Sequence, residues 1–465
     1  MSWKSNGLRF IHASPYRRLI RLRLIIASVN SFFSKLKNDP LLSRVLRSSA
    51  HLFTSNTLSL GLSVLMGALA FRLLGAAGLG LITLVMGYAS TVNSLLSFRM
   101  SEVVVRYGGE YLEQGEKQKA AALIKAAGLT EAFVSMLAFL VVLVSAEWAS
   151  RAIAKTPDTA ALFIVFAIGL LANFNTETST GILQVTGKIR YQGTINLVQS
   201  VFSLGIVIAA FFLPNTLWAV LLAYLAGKTL LGLGLFFMAQ RQLQRELGSD
   251  WWKTPLASFA ESRALIRFAI SSNISATLIK VFRESEPLWV GYFLSTEAVG
   301  YYKAAYTLVS FLSVPADPLI AATYPEINRL IVQKAWPSLR SFLRKITSLA
   351  FAVNAAAALG FIFLGKFALI LYTGHAEFVL AYPALLALFI GLAFNYSLFW
   401  NRPLLLSLGL PDFPIWVTLA IGLVKVALAF WLVPRYGILA AGALLSFYYI
   451  ASVGIMAVRG LKEIR

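Results

Sequence analysis

The stretch Leu278-Ile-Lys-Val-Phe-Arg-Glu-Ser-Glu-Pro-Leu-Trp289 puts four ionisable residues, Lys280, Arg283, Glu284 and Glu286, within seven positions of an otherwise apolar segment. On a helix, Asn273, Thr277, Lys280 and Glu284 follow at intervals of four, three and four and so share one face, with Arg283 beside it. The chemistry such a stripe supports is recognition of charge in a sheltered, water-filled cavity. Facing lipid, a Lys or Arg near the bilayer centre costs roughly 2.5–3.5 kcal/mol on insertion scales. Lys280 with Glu284 (i,i+4) and Arg283 with Glu286 (i,i+3) are spaced for partial mutual neutralisation. The plainer alternative is a span that ends near Phe282, with the charges in an ordinary loop; it would leave "LWVGYFL" as an orphan apolar run.

Other ionisable residues sit in apolar surroundings. Lys228 in "AYLAGKTLLG" and Lys425 in "IGLVKVALA" lie deep in predicted spans, where a lysine faces a lumen, pairs with an acid or snorkels to an interface. Asp317 lies in "VPADPLIAATYPEI", whose Pro315, Pro318 and Pro325 read as a gate hinge or as a static kink. Arg72 closes the first span, as a membrane-end anchor or a substrate contact.

The elements that hold these residues are set by composition. The 465 residues are 58% hydrophobic and 13% charged, against roughly 25% charged in soluble proteins, and the mean hydropathy is +0.73. Twelve apolar runs are long enough to cross a bilayer: 52–73, 79–98, 126–146, 160–176, 194–213, 217–238, 266–293, 300–323, 346–365, 379–400, 413–433 and 437–457. Continuous runs of this kind are helices, not barrel strands. The expected fold is an all-α polytopic membrane protein, with about twelve transmembrane helices in two six-helix halves around a central cavity.

The formal net charge of +21 suggests nucleic acid until its location is mapped. With both termini in the cytoplasm, 31 of the 41 Lys and Arg fall on or next to the cytoplasmic side. That accounts for the excess without nucleic acid. Trp148, Trp218 and Trp431 fall at predicted outer ends, and Trp251, Trp252, Trp336 and Trp416 at inner ends, as interfacial belts require. Residues 1–50 mix ten Lys and Arg with Leu, Ile and Phe in runs too short to span. They read as a basic amphipathic tail on an anionic inner leaflet, with a solvated tail as the alternative. The expected division is the tail 1–50, an N-terminal half 51–240, a cytoplasmic linker 241–263 and a C-terminal half 264–465.

No cysteine is present, and His12, His51 and His375 are scattered. Thiolate chemistry is excluded, and no metal-ligand spacing appears. Without a Walker A sequence or a large soluble loop, ATP-driven transport and glycosyl transfer within this chain are not expected. The chain reads as no enzyme and as needing no cofactor.

A weak internal repeat supports two halves. A shift of 220 pairs Leu74 with Leu294, Leu79 with Val299 and Gly80 with Gly300; a shift of 222 pairs Gly187 with Gly409. Gly80 and Gly300 would each sit just past a short outer turn, as a closely packed or flexible joint or as simple helix packing.

The stretches "FRLLGAAGLGLITLV" (71–85), "GILQVTGKIRYQGTINLVQ" (181–199), "EPLWVGYFLSTEAVGYYKAAYTLVSFLSVPADPLI" (286–320), "YPEINRL" (324–330) and "VPRYGILAAGALLSFYY" (433–449) carry a resemblance. Over about residues 50–460, the chain resembles the MOP superfamily and, within it, the polysaccharide and O-antigen flippases of the Wzx type. Members often have Asp where Glu286 stands, and the carboxylate is kept. The resemblance implies translocation of a polyprenyl-pyrophosphate-linked oligosaccharide across a bacterial inner membrane by alternating access, for lipopolysaccharide or other surface polysaccharide. It makes membrane lipids, a polysaccharide polymerase and glycosyltransferases the expected neighbours. Lys280, Arg283, Lys228 and Lys425, with Arg72 at the outer rim, would face the pyrophosphate or acidic sugars. Glu284, Glu286 or Asp317 would serve proton or sodium coupling.

Two other readings stand beside it. One is an ion-coupled drug or metabolite exporter of the same superfamily; for cationic drugs it should have an acidic, aromatic cavity, whereas cations here match or outnumber acids. A non-transporting scaffold for glycosyltransferases would act through the tail, and would fail when residues 1–45 are deleted.

Overall fold

The computed structural model describes residues 40–97, 99–256, 277 and 280–464. Asn273, on the predicted stripe, lies outside the described residues, as do the side chains of Pro315, Asp317 and Pro318. Residues 1–54 and 55–465 form separate units. Of the first, residues 40–54 are described, as helix.

Among the described residues every regular element is helical. Helix α1 is Pro40–Leu96, α2 Lys117–Ala152, α3 Ala160–Ala172, α4 Thr176–Val185, α5 Arg190–Ala209 and α6 Thr216–Leu247. The later part holds α7 Glu286–Phe293, α8 Thr296–Ser310, α9 Ser313–Val332, α10 Trp336–Thr373, α11 Tyr382–Ser397, α12 Asn401–Ser407 and α13 Asp412–Glu463. Eight helical stretches are long and apolar enough to cross a membrane. Two of these are double. Stretches of 40 residues (57–96) and 52 residues (412–463) would reach about 60 Å or more at 1.5 Å per residue, twice a hydrocarbon core. Each is two arms joined at one glycine in the left-handed region, Gly75 (φ 64°) and Gly437 (φ 62°), a conformation a Cβ disfavours. With the helices from 280–293 and 296–332, the arrangement is the twelve-span, two-half fold.

The segment around Arg283 stays helical. Residues 280–284 are helix, Ser285 breaks it, and Glu286–Phe293 continues, with Pro287 in its first turn where proline lacks only an orphan N–H. The chain then turns at Leu294–Ser295, and the Ser295 hydroxyl caps α8 by accepting from Ala298 N at 3.1 Å. By the repeat, Ser295 stands where Gly75 stands in the first half.

Both halves carry a matched break between two helices. One falls at residues 173–175, between α3 and α4, and the other at residues 398–400, between α11 and α12. Each is followed by a left-handed glycine at the equivalent place, Gly187 (φ 67°) and Gly409 (φ 75°). A side chain from a neighbouring helix secures each break. Glu131 of α2 accepts from Glu177 N (2.8 Å) and Thr178 N (2.9 Å). Asn354 of α10 donates to Ala393 O (3.0 Å) and the Ser397 hydroxyl (2.9 Å). The predicted spans 160–176 and 379–400 end at these breaks, and the helices resume beyond them. The interruption predicted at Pro315–Pro325 falls earlier, at Phe311–Leu312.

At the end of the bundle holding the Gly75, Ser295 and Gly437 turns, the halves are joined. A Cβ on Gly80 would come within 1.7 Å of Thr296 O, and one on Gly300 within 2.1 Å of Ala76 O. The close contact fits both sequence readings for these glycines, the closely packed joint and simple helix packing. Lys155 Nζ donates to Leu294 O (2.8 Å), and Arg72 Nη2 to Leu371 O (3.1 Å), again from one half to the other.

Candidate functional site

A cavity of about 380 Å³ lies between the halves, and a smaller one of about 90 Å³ adjoins it, sharing Gly87, Ser90 and Glu284. The two walls differ in kind. The second arm of α1 contributes Leu79, Ile82, Thr83, Met86, Gly87 and Ser90, one helical face without charge. The opposite wall is Arg283, Glu284, Glu286 and Pro287, with Tyr302, Lys303 and Tyr306 of α8. Lys280 lines the smaller chamber. Every carboxylate, lysine or arginine lining either chamber therefore comes from residues 280–303.

Within this wall the charges are sorted. Glu286 is buried and paired with Lys425 of α13, whose side chain is 2% exposed. Lys425 also donates to the Phe282 carbonyl, and its ammonium lies 5.3 Å from the Tyr448 ring centre. Its donors are thus spent on span-to-span contacts, and Lys425 stands behind the cavity wall. Arg283 donates from Nε to the Tyr449 hydroxyl (3.1 Å) and lies over the same ring (5.4 Å). Its remaining guanidinium N–H groups are available to a ligand in the cavity. Among the described residues, Lys280, Arg283 and Lys303 have no carboxylate within 4.0 Å, and neither does Glu284 a cation. Three cations therefore face one uncompensated carboxylate. The predicted local pairs, Lys280–Glu284 and Arg283–Glu286, do not form.

Lys228 of α6 lies close enough to Lys280 for their charges to interact, and its ammonium sits 5.4 Å from the Phe166 ring centre. Two lysines from different halves thus share one neighbourhood. Thr277 donates to Ser94 O (3.1 Å), linking the span-seven stripe to α1. Arg72 lies at the joined end of the bundle and is not among the residues lining either chamber. Asp317 has a helical backbone within α9.

Lys303, Tyr302, Tyr306, Tyr224 and Tyr372 were not singled out by sequence, yet all line the larger cavity. The signal was there in "GYYKAAY": Tyr302, Lys303 and Tyr306 fall on one side of a helix. The Tyr302 hydroxyl is buried with no partner among the described residues, although buried hydroxyls are normally satisfied. Chemically, the chamber can hold an anionic group with several donors, next to tyrosine rings.

Residues 45–331 match the family described as polysaccharide biosynthesis protein. The inner membrane protein YghQ of Escherichia coli (strain K12) is 23% identical over 330 residues, which are 69% of this chain and 90% of that protein. A multidrug resistance MATE family transporter of the MOP superfamily, in an inward-facing conformation, superposes with a TM-score of 0.71 at 14% identity, over 88% of this chain and 94% of that one. The lipid II flippase MurJ, in an inward closed conformation, superposes with a TM-score of 0.65 at 13% identity, over 90% of this chain and 87% of that one. At such identities the two structures speak for the fold.

Proposed function

The chain belongs to the polysaccharide biosynthesis protein family, and from that premise we propose that it is a flippase. Its substrate is an oligosaccharide carried on a polyprenyl pyrophosphate, which it moves across a bacterial inner membrane by alternating access for surface polysaccharide assembly. The observation that carries this reading is the charge of the cavity between the halves. Lys280, Arg283 and Lys303 face the single uncompensated Glu284, with Lys228 close by. Charge-assisted hydrogen bonds from Lys and Arg hold phosphate oxygens strongly where water is scarce. The same charge disfavours export of cationic drugs, which would meet repulsion there.

The distribution of Lys and Arg supports a cytoplasmic side at the end opposite the joined one. The joined end, with Gly80 packed close to Thr296 and Gly300, then faces outward. Transport requires this joint to part while the opposite end closes. Glu284 is the cavity carboxylate free to take a coupling proton or sodium ion, because Glu286 is held by Lys425.

The test replaces Lys280 and Arg283 by Gln, singly and together, in cells lacking the native gene. Each lost charged hydrogen bond is worth roughly 1.5–3 kcal/mol, so surface polysaccharide at equal protein level should fall about tenfold or more. Unchanged polysaccharide in the double variant overturns the assignment.

A further inference from the structure

On α13, away from the cavity, Ile450, Gly454 and Val458 form one row of a helix face, and Ala451 and Ile455 the next. With Phe413 from the start of the same helix, they line a groove of about 550 Å³. The floor is low because Gly454 has no side chain; a Cβ there would approach only the Phe394 ring, at 3.9 Å. The walls are open to the surroundings, with Ile455 at 43% and Val458 at 55% exposure. One end of the groove is charged. Arg459 lies over the Phe413 ring (5.9 Å) and pairs with Glu463 (2.7 Å). Lys462 completes that end and has no carboxylate within 4.0 Å among the described residues.

We propose that this groove binds one anionic phospholipid from the leaflet in which the chain ends. Length and charge both fit that occupant. From residue 450 to residue 462 a helix rises about 18 Å, close to the roughly 15 Å depth of one hydrocarbon leaflet. An acyl chain can lie along the apolar rows while its phosphodiester reaches Lys462 and Arg459. Two cations stand at the headgroup level against the single Glu463, which favours a net negative headgroup over a zwitterionic one. The groove shares no lining residue with the cavity between the halves, so it is a lipid site separate from the transport path.

The experiment uses the purified full chain in detergent, with dioleoyl phosphatidylglycerol and dioleoyl phosphatidylcholine as probes of identical tails. Native mass spectrometry reads lipid retention, and thermal unfolding reads stabilisation. Phosphatidylglycerol should be retained about tenfold better than phosphatidylcholine, the ratio expected for one charge-assisted contact, and should raise the unfolding midpoint. The double variant Arg459→Gln/Lys462→Gln should lose the selectivity but still retain lipid. Gly454→Leu should lose retention of both lipids by filling the floor. Equal retention of the two lipids by the unaltered protein overturns the proposal, as does selectivity that survives the double variant. Retention of a polyprenyl phosphate above phosphatidylglycerol that Arg459→Gln/Lys462→Gln abolishes also overturns it, by giving the groove to the transported lipid.

Discussion

Lys425 and Glu286 are 139 positions apart and hold one another where water does not reach. A buried pair of this kind is asymmetric in its response to mutation. Removing one partner strands the other charge and typically destabilises by about 3–5 kcal/mol, whereas replacing both by neutral groups of similar size is often near neutral. Lys425→Met alone should therefore lower the thermal unfolding midpoint sharply, and Lys425→Met/Glu286→Gln should recover most of the loss. If the double variant is as unstable as the single one, the pair is not what ties α13 to span seven. The sequence marked both residues as buried and ionisable, which is all that hydropathy can report. It proposed Arg283 as the partner of Glu286, because i,i+3 spacing is visible within one helix and a contact from α13 is not. Arg283 turns instead to Tyr449, 166 positions away.

At the scale of elements, the repeat was legible where it left glycines, at Gly80, Gly300, Gly187 and Gly409, because each needs a positive φ or a missing Cβ. The breaks at residues 173–175 and 398–400 were legible only as the ends of predicted spans. That the helices resume beyond them was not, because the groups that secure them come from other helices. The two devices differ: a carboxylate accepts backbone N–H groups in the first half, and an amide donates in the second. Glu131→Ala should strand the Glu177 and Thr178 N–H groups at the start of α4, at about 1–3 kcal/mol for each unmet buried donor. Glu131→Gln keeps one acceptor oxygen and should cost less. Chemical denaturation of the purified variants in detergent ranks them, and equal losses for Ala and Gln would remove the cap from the account.

For the whole molecule, the number of spans and the basic excess at one end followed from hydropathy and Lys/Arg positions alone. Which faces meet did not, because the cavity is built by pairs of helices more than 180 residues apart, as Thr277 and Ser94 illustrate. The joint at Gly80 gives a direct test of the two-state geometry. Gly80→Ala places a Cβ 1.7 Å from Thr296 O, a clash that backbone on both sides relieves only by parting. The chain lacks cysteine, so a single Thr83→Cys in the cavity wall serves as reporter. A membrane-impermeant maleimide added to whole cells should label it faster with Gly80→Ala than without, and unchanged labelling would mean that the joint yields without opening the cavity. Gly80 and Gly300 also mark where two equivalent helices cross, on the axis that relates the halves. In a true dimer a substitution at such a point arrives on both sides at once and meets its own image. A single chain carrying both copies is released from that bond, so each half drifts alone. One wall could gather Lys280, Arg283, Glu284 and Lys303 while its twin in α1 stayed bare; under the proposed flippase function, a cargo gripped by one wall travels with that half while the other slides past it.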